Sequence, residues 1–121
     1  MKLKNKNAII TGGSRGIGGA ISKLFAKEGA NISFCHLDDE KNAINMKKNI
    51  ESLGSKCLSL NLDISSKENC DLFVSKSINE IGSPDILVNN AGIIYVRPFE
   101  KATEEEFDKT INVHLKSTFF I

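Results

Sequence analysis

Apolar residues along the chain follow two periods in turn, and the switch between them lays out the elements. Ala8-Ile9-Ile10 is a short unbroken apolar run, the pattern of a strand covered on both faces. Ile17, Ala20, Ile21, Leu24 and Phe25 then recur at i, i+3, i+4, i+7 and i+8, which predicts the buried face of a helix that Gly29 ends. A second strand follows over Ile32 to Cys35. Asp38-Asp39-Glu40 puts acid at the start of a second helix, with Ala43, Met46, Ile50 and Leu53 facing inward and Gly54 as its stop. Leu58, Leu60 and Leu62 alternate with Cys57, Ser59 and Asn61 as a third strand that ends at Asp63.

Ser65 with Glu68 three residues on forms a capping-box pattern, and Cys70, Phe73, Val74, Ser77, Ile78 and Ile81 line the helix behind it. Gly82 and Pro84 close that helix. Ile86-Leu87-Val88 reads as a fourth buried strand running into Asn89-Asn90-Ala91-Gly92. After a loop around Arg97-Pro98, Thr103 with Glu106 repeats the capping box and opens a last helix carrying Phe107, Ile111 and Leu115, with no stop signal before Ile121. Strand and helix alternate throughout, the order of βαβ units around a parallel sheet in one α/β domain over residues 1–121.

Composition narrows the partners. With 121 residues, 16 Lys and Arg against 15 Asp and Glu, and 40% apolar residues, the chain is of ordinary globular make-up. Its near-zero net charge offers no broad basic field, which argues against nucleic acid or an anionic membrane surface. No apolar run approaches the ~20 residues of a membrane span, and the first seven residues carry charge without an apolar signal core, so a cytoplasmic location is expected. Cys35, Cys57 and Cys70 are odd in number and form no C-x-x-C pair, and His36 and His114 are the only histidines, so neither a disulfide framework nor a metal site is expected.

The first strand leads through Thr11-Gly12-Gly13-Ser14-Arg15-Gly16-Ile17-Gly18 directly into a helix. A strand, a tight glycine turn and a helix N-terminus present backbone N–H groups and a positive dipole end to a phosphate. The glycines fall as G-x-x-x-G-x-G, and Gly19 stands where a P-loop needs lysine. A turn that glycines merely pack is the competing reading, and the strand–turn–helix context weighs against it.

On these residues the chain resembles the short-chain dehydrogenases/reductases. TGGSRGIG matches their T-G-x-x-x-G-x-G loop, Asp63-Ile64 the acid and apolar pair after strand three, and NNAG at 89–92 the signature after strand four. The resemblance implies a Rossmann-type doubly wound parallel sheet, truncated after the fourth strand and within the following long helix. It also implies that Gly12, Ser14, Arg15, Gly16, Ile17 and Gly18 surround the diphosphate and adenosine phosphate of a nicotinamide dinucleotide. Asp63 and Ile64 would meet the adenine, although Asp63 also reads as a helix-entry acid, and Asn90, Ala91 and Gly92 would line the adenosine ribose. Asn89 reads as a structural amide.

An acid near the end of strand two recognises a ribose 2′-OH, whereas a 2′-phosphate calls for Arg or Lys. The apolar run puts His36, read as a partly exposed strand-end residue, at the family's acid position. Arg15 stands where basic residues accompany NADP-preferring members, and both features favour NADP(H) over NAD(H). Leu37, at a site often Arg in such relatives, and Asp38, about twenty residues past Gly18, point the other way.

Family catalysis uses Ser, Asn and a Tyr and Lys spaced Y-x-x-x-K, moving hydride between NAD(P)(H) and a carbonyl/alcohol pair. The only tyrosine, Tyr95, is followed four residues later by Phe99. In Thr110-Ile111-Asn112-Val113-His114-Leu115-Lys116-Ser117, the register places His114 at the family's Asn. The resemblance therefore implies a cofactor-binding half, inactive alone, whose complete form acts on a small carbonyl or alcohol and assembles as a homodimer or homotetramer through the last helix. The alternative is a non-catalytic nucleotide-binding or scaffold protein, or the product of a truncated gene.

Overall fold

A computed structural model describes residues 1–121. Four parallel strands, β1 (Asn7–Thr11), β2 (Asn31–His36), β3 (Cys57–Asn61) and β4 (Ile86–Val88), form one sheet in the order β3-β2-β1-β4. Between them run α1 (Gly16–Lys27), α2 (Glu40–Ser52) and α3 (Lys67–Ile81). After a 3₁₀ turn at Phe99–Lys101, α4 (Glu104–Ile111) continues through a π turn (Asn112–Lys116) into α5 (Ser117–Phe120). This is the doubly wound Rossmann-type sheet, with the chain crossing from β3 over the sheet to pair β4 beside β1.

Both faces are covered, as a parallel sheet requires. Ala8, Ile10, Ile32 and Phe34 point to one face and pack with Ala26 of α1, Ala30 just before β2, and Ala43 and Ile50 of α2. Ile9 and Cys35 point to the other, against Ile64, Cys70 and Phe73, with Phe120 and Ile121 closing over them. On that second face Ser33 and Ser77, both buried, share a hydrogen bond of 2.6 Å, so the only polar pair between β2 and α3 is satisfied.

Several local expectations shift. On α1 the buried side is Gly18, Gly19, Ser22 and Ala26, while Ile17 and Leu24 face solvent. Small residues there let the helix lie close on the sheet, and a pattern counted in large side chains misses that contact. Leu53, also exposed, is the C-cap of α2 and no part of its inner face. Ser66, not Ser65, caps α3, accepting from Asn69 N at 3.2 Å. Asp63 Oδ1 takes the backbone N–H of Ser65 at 3.0 Å, and that turn delays the helix by one residue. The Thr103–Glu106 capping box forms in both directions. β4 is an edge strand, with Leu87 44% exposed, because nothing pairs beyond it. The last helix turns Val113 and Ser117 inward and leaves Phe107, Leu115 and Phe119 outside.

Candidate functional site

The glycine turn lies at the C-terminal end of β1, beside the point where strand order reverses between β1 and β4. Ligands of open α/β sheets bind in the crevice at such a point. Arg15 is the N-cap of α1 and makes no side-chain cap, and no acidic residue stands in the first turn, so the helix end keeps its positive character. Gly16 needs its φ of +60° and has open space where a Cβ would lie. A Cβ on Gly18 would stand 2.2 Å from Gly12 O and 2.4 Å from Asn90 Nδ2, so only glycine permits this helix-to-turn approach.

A cleft of about 440 Å³ opens there, of the size small-molecule sites take. It brings together Gly12, Ser14, Arg15, Gly16, Asp63, Ile64, Asn90, Ala91 and Gly92, from three separate segments of the chain. Gly18 lies behind it as the close-packing residue. The Ile17 side chain is outside it and 76% exposed. The cleft also takes in Cys35, His36, Leu37, Asp39, Leu62, Ile93, Lys109 and Val113.

The amide that ties backbone together is Asn90, whose Nδ2 donates to Thr11 O and Gly12 O, while Asn89 is exposed. Thr11 Oγ1 accepts the N–H groups of both Asn90 and Ala91 at 3.0 Å. His36 is buried, 5% exposed, because the start of α2 folds over the end of β2. Its Nδ1 accepts from Asp39 N at 3.2 Å, which leaves the proton of the neutral ring on Nε2, 3.8 Å from Glu40 Oε1. Asp38 adopts φ +51° and turns to Asn61, so the acid that reaches the cleft is the next residue, Asp39.

Asp63 is paired across the cleft. Lys109 Nζ donates to its Oδ2 at 2.7 Å and to Ser65 Oγ at 3.3 Å, joining α4 to the loop after β3. Burial opposes ionisation of Asp63, but the Lys109 and Ser65 hydrogen bonds outweigh it and hold the carboxyl below its usual range. No local pattern could show this pair, since its members are 46 residues apart. Burial pushes the Cys35 thiol up to about 11, so it is no nucleophile at neutral pH. His114 lies in the π turn with Nε2 3.0 Å from Ile93 N and 2.9 Å from Ile93 O, which fixes the segment after Gly92. No three His, Cys, Asp or Glu side chains gather as metal ligands, and no helix is long and apolar enough to cross a membrane.

Strand order, glycine turn and a cleft at the switch point together define a Rossmann-type α/β domain. The chain belongs to the short chain dehydrogenase family, whose profile matches residues 6–121. It is 41% identical over 121 residues to General stress protein 39 of Bacillus subtilis (strain 168), covering 99% of this chain and 42% of that protein. A short chain dehydrogenase from Burkholderia cenocepacia J2315 in complex with NADP superposes with a TM-score of 0.97 at 32% identity, over 99% of this chain and 49% of that one. A blue fluorescent protein from a metagenomic library, in complex with NADPH, does so at 0.95 and 31%, over 99% and 49%. The chain thus spans less than half the length of these proteins.

Proposed function

We propose that residues 1–121 form the dinucleotide-binding domain of an NAD(P)(H)-dependent oxidoreductase and do not by themselves catalyse hydride transfer. The observation that carries this reading is the cleft at the β1–β4 switch point, which gathers an uncapped helix N-terminus, Asp63-Ile64 and Asn90-Ala91-Gly92. The diphosphate would meet the turn from Gly12 to Gly18, with Ile17 contributing its backbone N–H and not its exposed side chain. Asp63 and Ile64 would take the adenine, and Asn90, Ala91 and Gly92 the ribose side.

NADP(H) is the proposed cofactor. Arg15 in the cleft and the NADP and NADPH bound by two similar structures support it. When bound, the nicotinamide supplies the hydride for a small carbonyl/alcohol substrate. His114 would act on the reaction path only through the Ile93 backbone it holds. The Ser, Tyr and Lys of family catalysis have no match in these residues, which is why the non-catalytic nucleotide-binding reading is the better supported for the chain alone. Assembly of the complete protein as a homodimer or homotetramer is part of the proposal, supported by Phe107, Leu115 and Phe119 standing exposed along the last helix. So is a cytoplasmic location, in keeping with three free, buried cysteines.

The test is equilibrium binding of NADPH and NADH to the full-length gene product. Arg15→Ala removes a charge-assisted contact worth roughly 1.5–3 kcal/mol, so NADPH should weaken by tenfold or more and NADH much less. Equal weakening of both would mean that Arg15 holds the diphosphate or nothing, and no binding of either would end the dinucleotide reading.

A further inference from the structure

Around Asp63 the cleft is lined by apolar side chains, Leu62 and Ile64 from the same loop and Val113 from the last helix. Two charged side chains meet among them. Lys109 Nζ, brought over from α4, donates to Asp63 Oδ2 at 2.7 Å and to Ser65 Oγ at 3.3 Å, and Asp63 Oδ1 accepts the backbone N–H of Ser65 at 3.0 Å. Burial opposes ionisation of Asp63 and these bonds overcome it, so the carboxylate is charged at neutral pH. Neither group is used up. An ammonium has three N–H donors and a carboxylate about four acceptor sites, so Lys109 keeps one donor and Asp63 keeps acceptor positions, on side chains that are each 36% exposed. One place in the cleft therefore offers a donor and an acceptor 2.7 Å apart.

We propose that Lys109 is a specificity-determining residue for the purine base, a donor beside Asp63 that admits a 6-oxopurine (hypoxanthine) dinucleotide as well as the 6-aminopurine (adenine) one. The inference rests on the dinucleotide reading, in which Asp63 and Ile64 take the base, and deepens it. A 6-amino group donates to Asp63 and needs nothing from Lys109. A 6-oxo group at the same point has only lone pairs to turn toward the carboxylate, and a site of acceptors alone rejects it, because a desolvated acceptor without a donor is costly. With Lys109 present, the oxo group takes the remaining N–H of the ammonium instead. Lys109 stands on α4 and Asp63 on the loop after β3, so tolerance of the base is a property of how α4 lies over that loop and not of Asp63 alone.

The experiment measures, by calorimetry, the binding of NADPH and of its 6-oxopurine counterpart, reduced nicotinamide hypoxanthine dinucleotide phosphate, to the full-length gene product and to its Lys109→Met and Lys109→Arg variants. The unaltered protein should bind the two within about fivefold of each other, and Lys109→Met should weaken the hypoxanthine cofactor about tenfold more than NADPH, the loss expected for one charge-assisted hydrogen bond. Lys109→Arg keeps a cationic donor and should hold the ratio near that of the unaltered protein, whereas a Lys109 that only braces the fold would shift both cofactors together. If Lys109→Met does not fold, Lys109→Leu is read in the same way. An equal change for both cofactors in Lys109→Met, the same split in Lys109→Arg as in Lys109→Met, or a wider preference for NADPH in the unaltered protein overturns the role of Lys109 while the dinucleotide reading stands. Failure of the unaltered protein to bind either of these cofactors or NADH overturns the two together.

Discussion

Asn90 donates through one amide nitrogen to two carbonyl oxygens, those of Thr11 at 3.0 Å and Gly12 at 3.1 Å, and so ties the end of β4 to the end of β1. Thr11 answers with its hydroxyl oxygen, which accepts the N–H groups of Asn90 and Ala91. The exchange holds both rims of the cleft at one separation. Because the segments are 79 residues apart in sequence, the same bonds also close the crossover that creates the switch point.

Thr11→Val keeps shape and removes the acceptor. Two backbone N–H groups then lose their partner at a nearly fully buried side chain. Stranding such donors costs about 1–3 kcal/mol each. We expect a loss of about 2 kcal/mol or more in urea unfolding of the full-length protein, together with weaker dinucleotide binding; an unchanged midpoint would mean that water replaces the hydroxyl.

Gly16 and Gly18 should respond differently to the same added methyl. Gly16→Ala meets no atom within 4 Å and only strains a φ of +60°, a cost of roughly 1–2 kcal/mol. Gly18→Ala drives a Cβ onto a backbone oxygen at 2.2 Å, so the helix must move off the turn. Dinucleotide binding should survive in the first variant, weakened, and be lost in the second. Titrating NADPH into both, with circular dichroism to report folding, separates the cases.

Lys109→Met tests the pairing across the cleft. The folded Asp63 carboxyl lies below its usual range, so the pair contributes stability in full above the unfolded carboxylate value of about 3.9 and loses it as pH falls through the lower folded value. Both side chains are 36% exposed, which places the contribution at about 0.5–1 kcal/mol or less. The variant should be less stable than the parent at pH 7 and indistinguishable near pH 2. A difference that persists in acid would show that Lys109 acts through packing of its stem.

What could be read from the sequence was what depends on neighbours in sequence. Strand, glycine turn and helix follow one another within Ala8 to Phe25, and the Thr103–Glu106 box closes within four residues, so both appear where the pattern puts them. The cleft's remaining residues depend on longer reach. Lys109 meets Asp63 only after the chain has crossed the sheet. Asp39 supplants Asp38 because a single left-handed residue at Asp38 turns that side chain toward Asn61. The π turn at Asn112–Lys116 sits among hydroxyls that bond back to carbonyls one turn earlier, Thr110 to Glu106 and Thr118 to His114. No apolar period records such bonds, which can bend or loosen a helix.

The 121-residue chain, purified by itself, should show no substrate-dependent oxidation of NADPH. Protonating a developing alkoxide needs a positioned acid, and the side chains near the cleft do not offer one. Tyr95 is half-exposed on the loop beyond β4, Cys35 is buried, His36 is buried with Nδ1 engaged, Lys109 Nζ is bound to Asp63 and Ser65, and His114 Nε2 is committed to Ile93. Losing that acid alone costs about 100- to 10,000-fold in rate. The chain should also associate when isolated, because β4 presents an unpaired edge and Ile94, Val96, Phe99 and Phe119 are each more than three-quarters exposed. A panel of simple aldehydes and ketones with NADPH, followed by absorbance alongside light scattering, examines both points. Steady turnover that requires the carbonyl and disappears in Gly18→Ala would show that these residues make a complete catalyst.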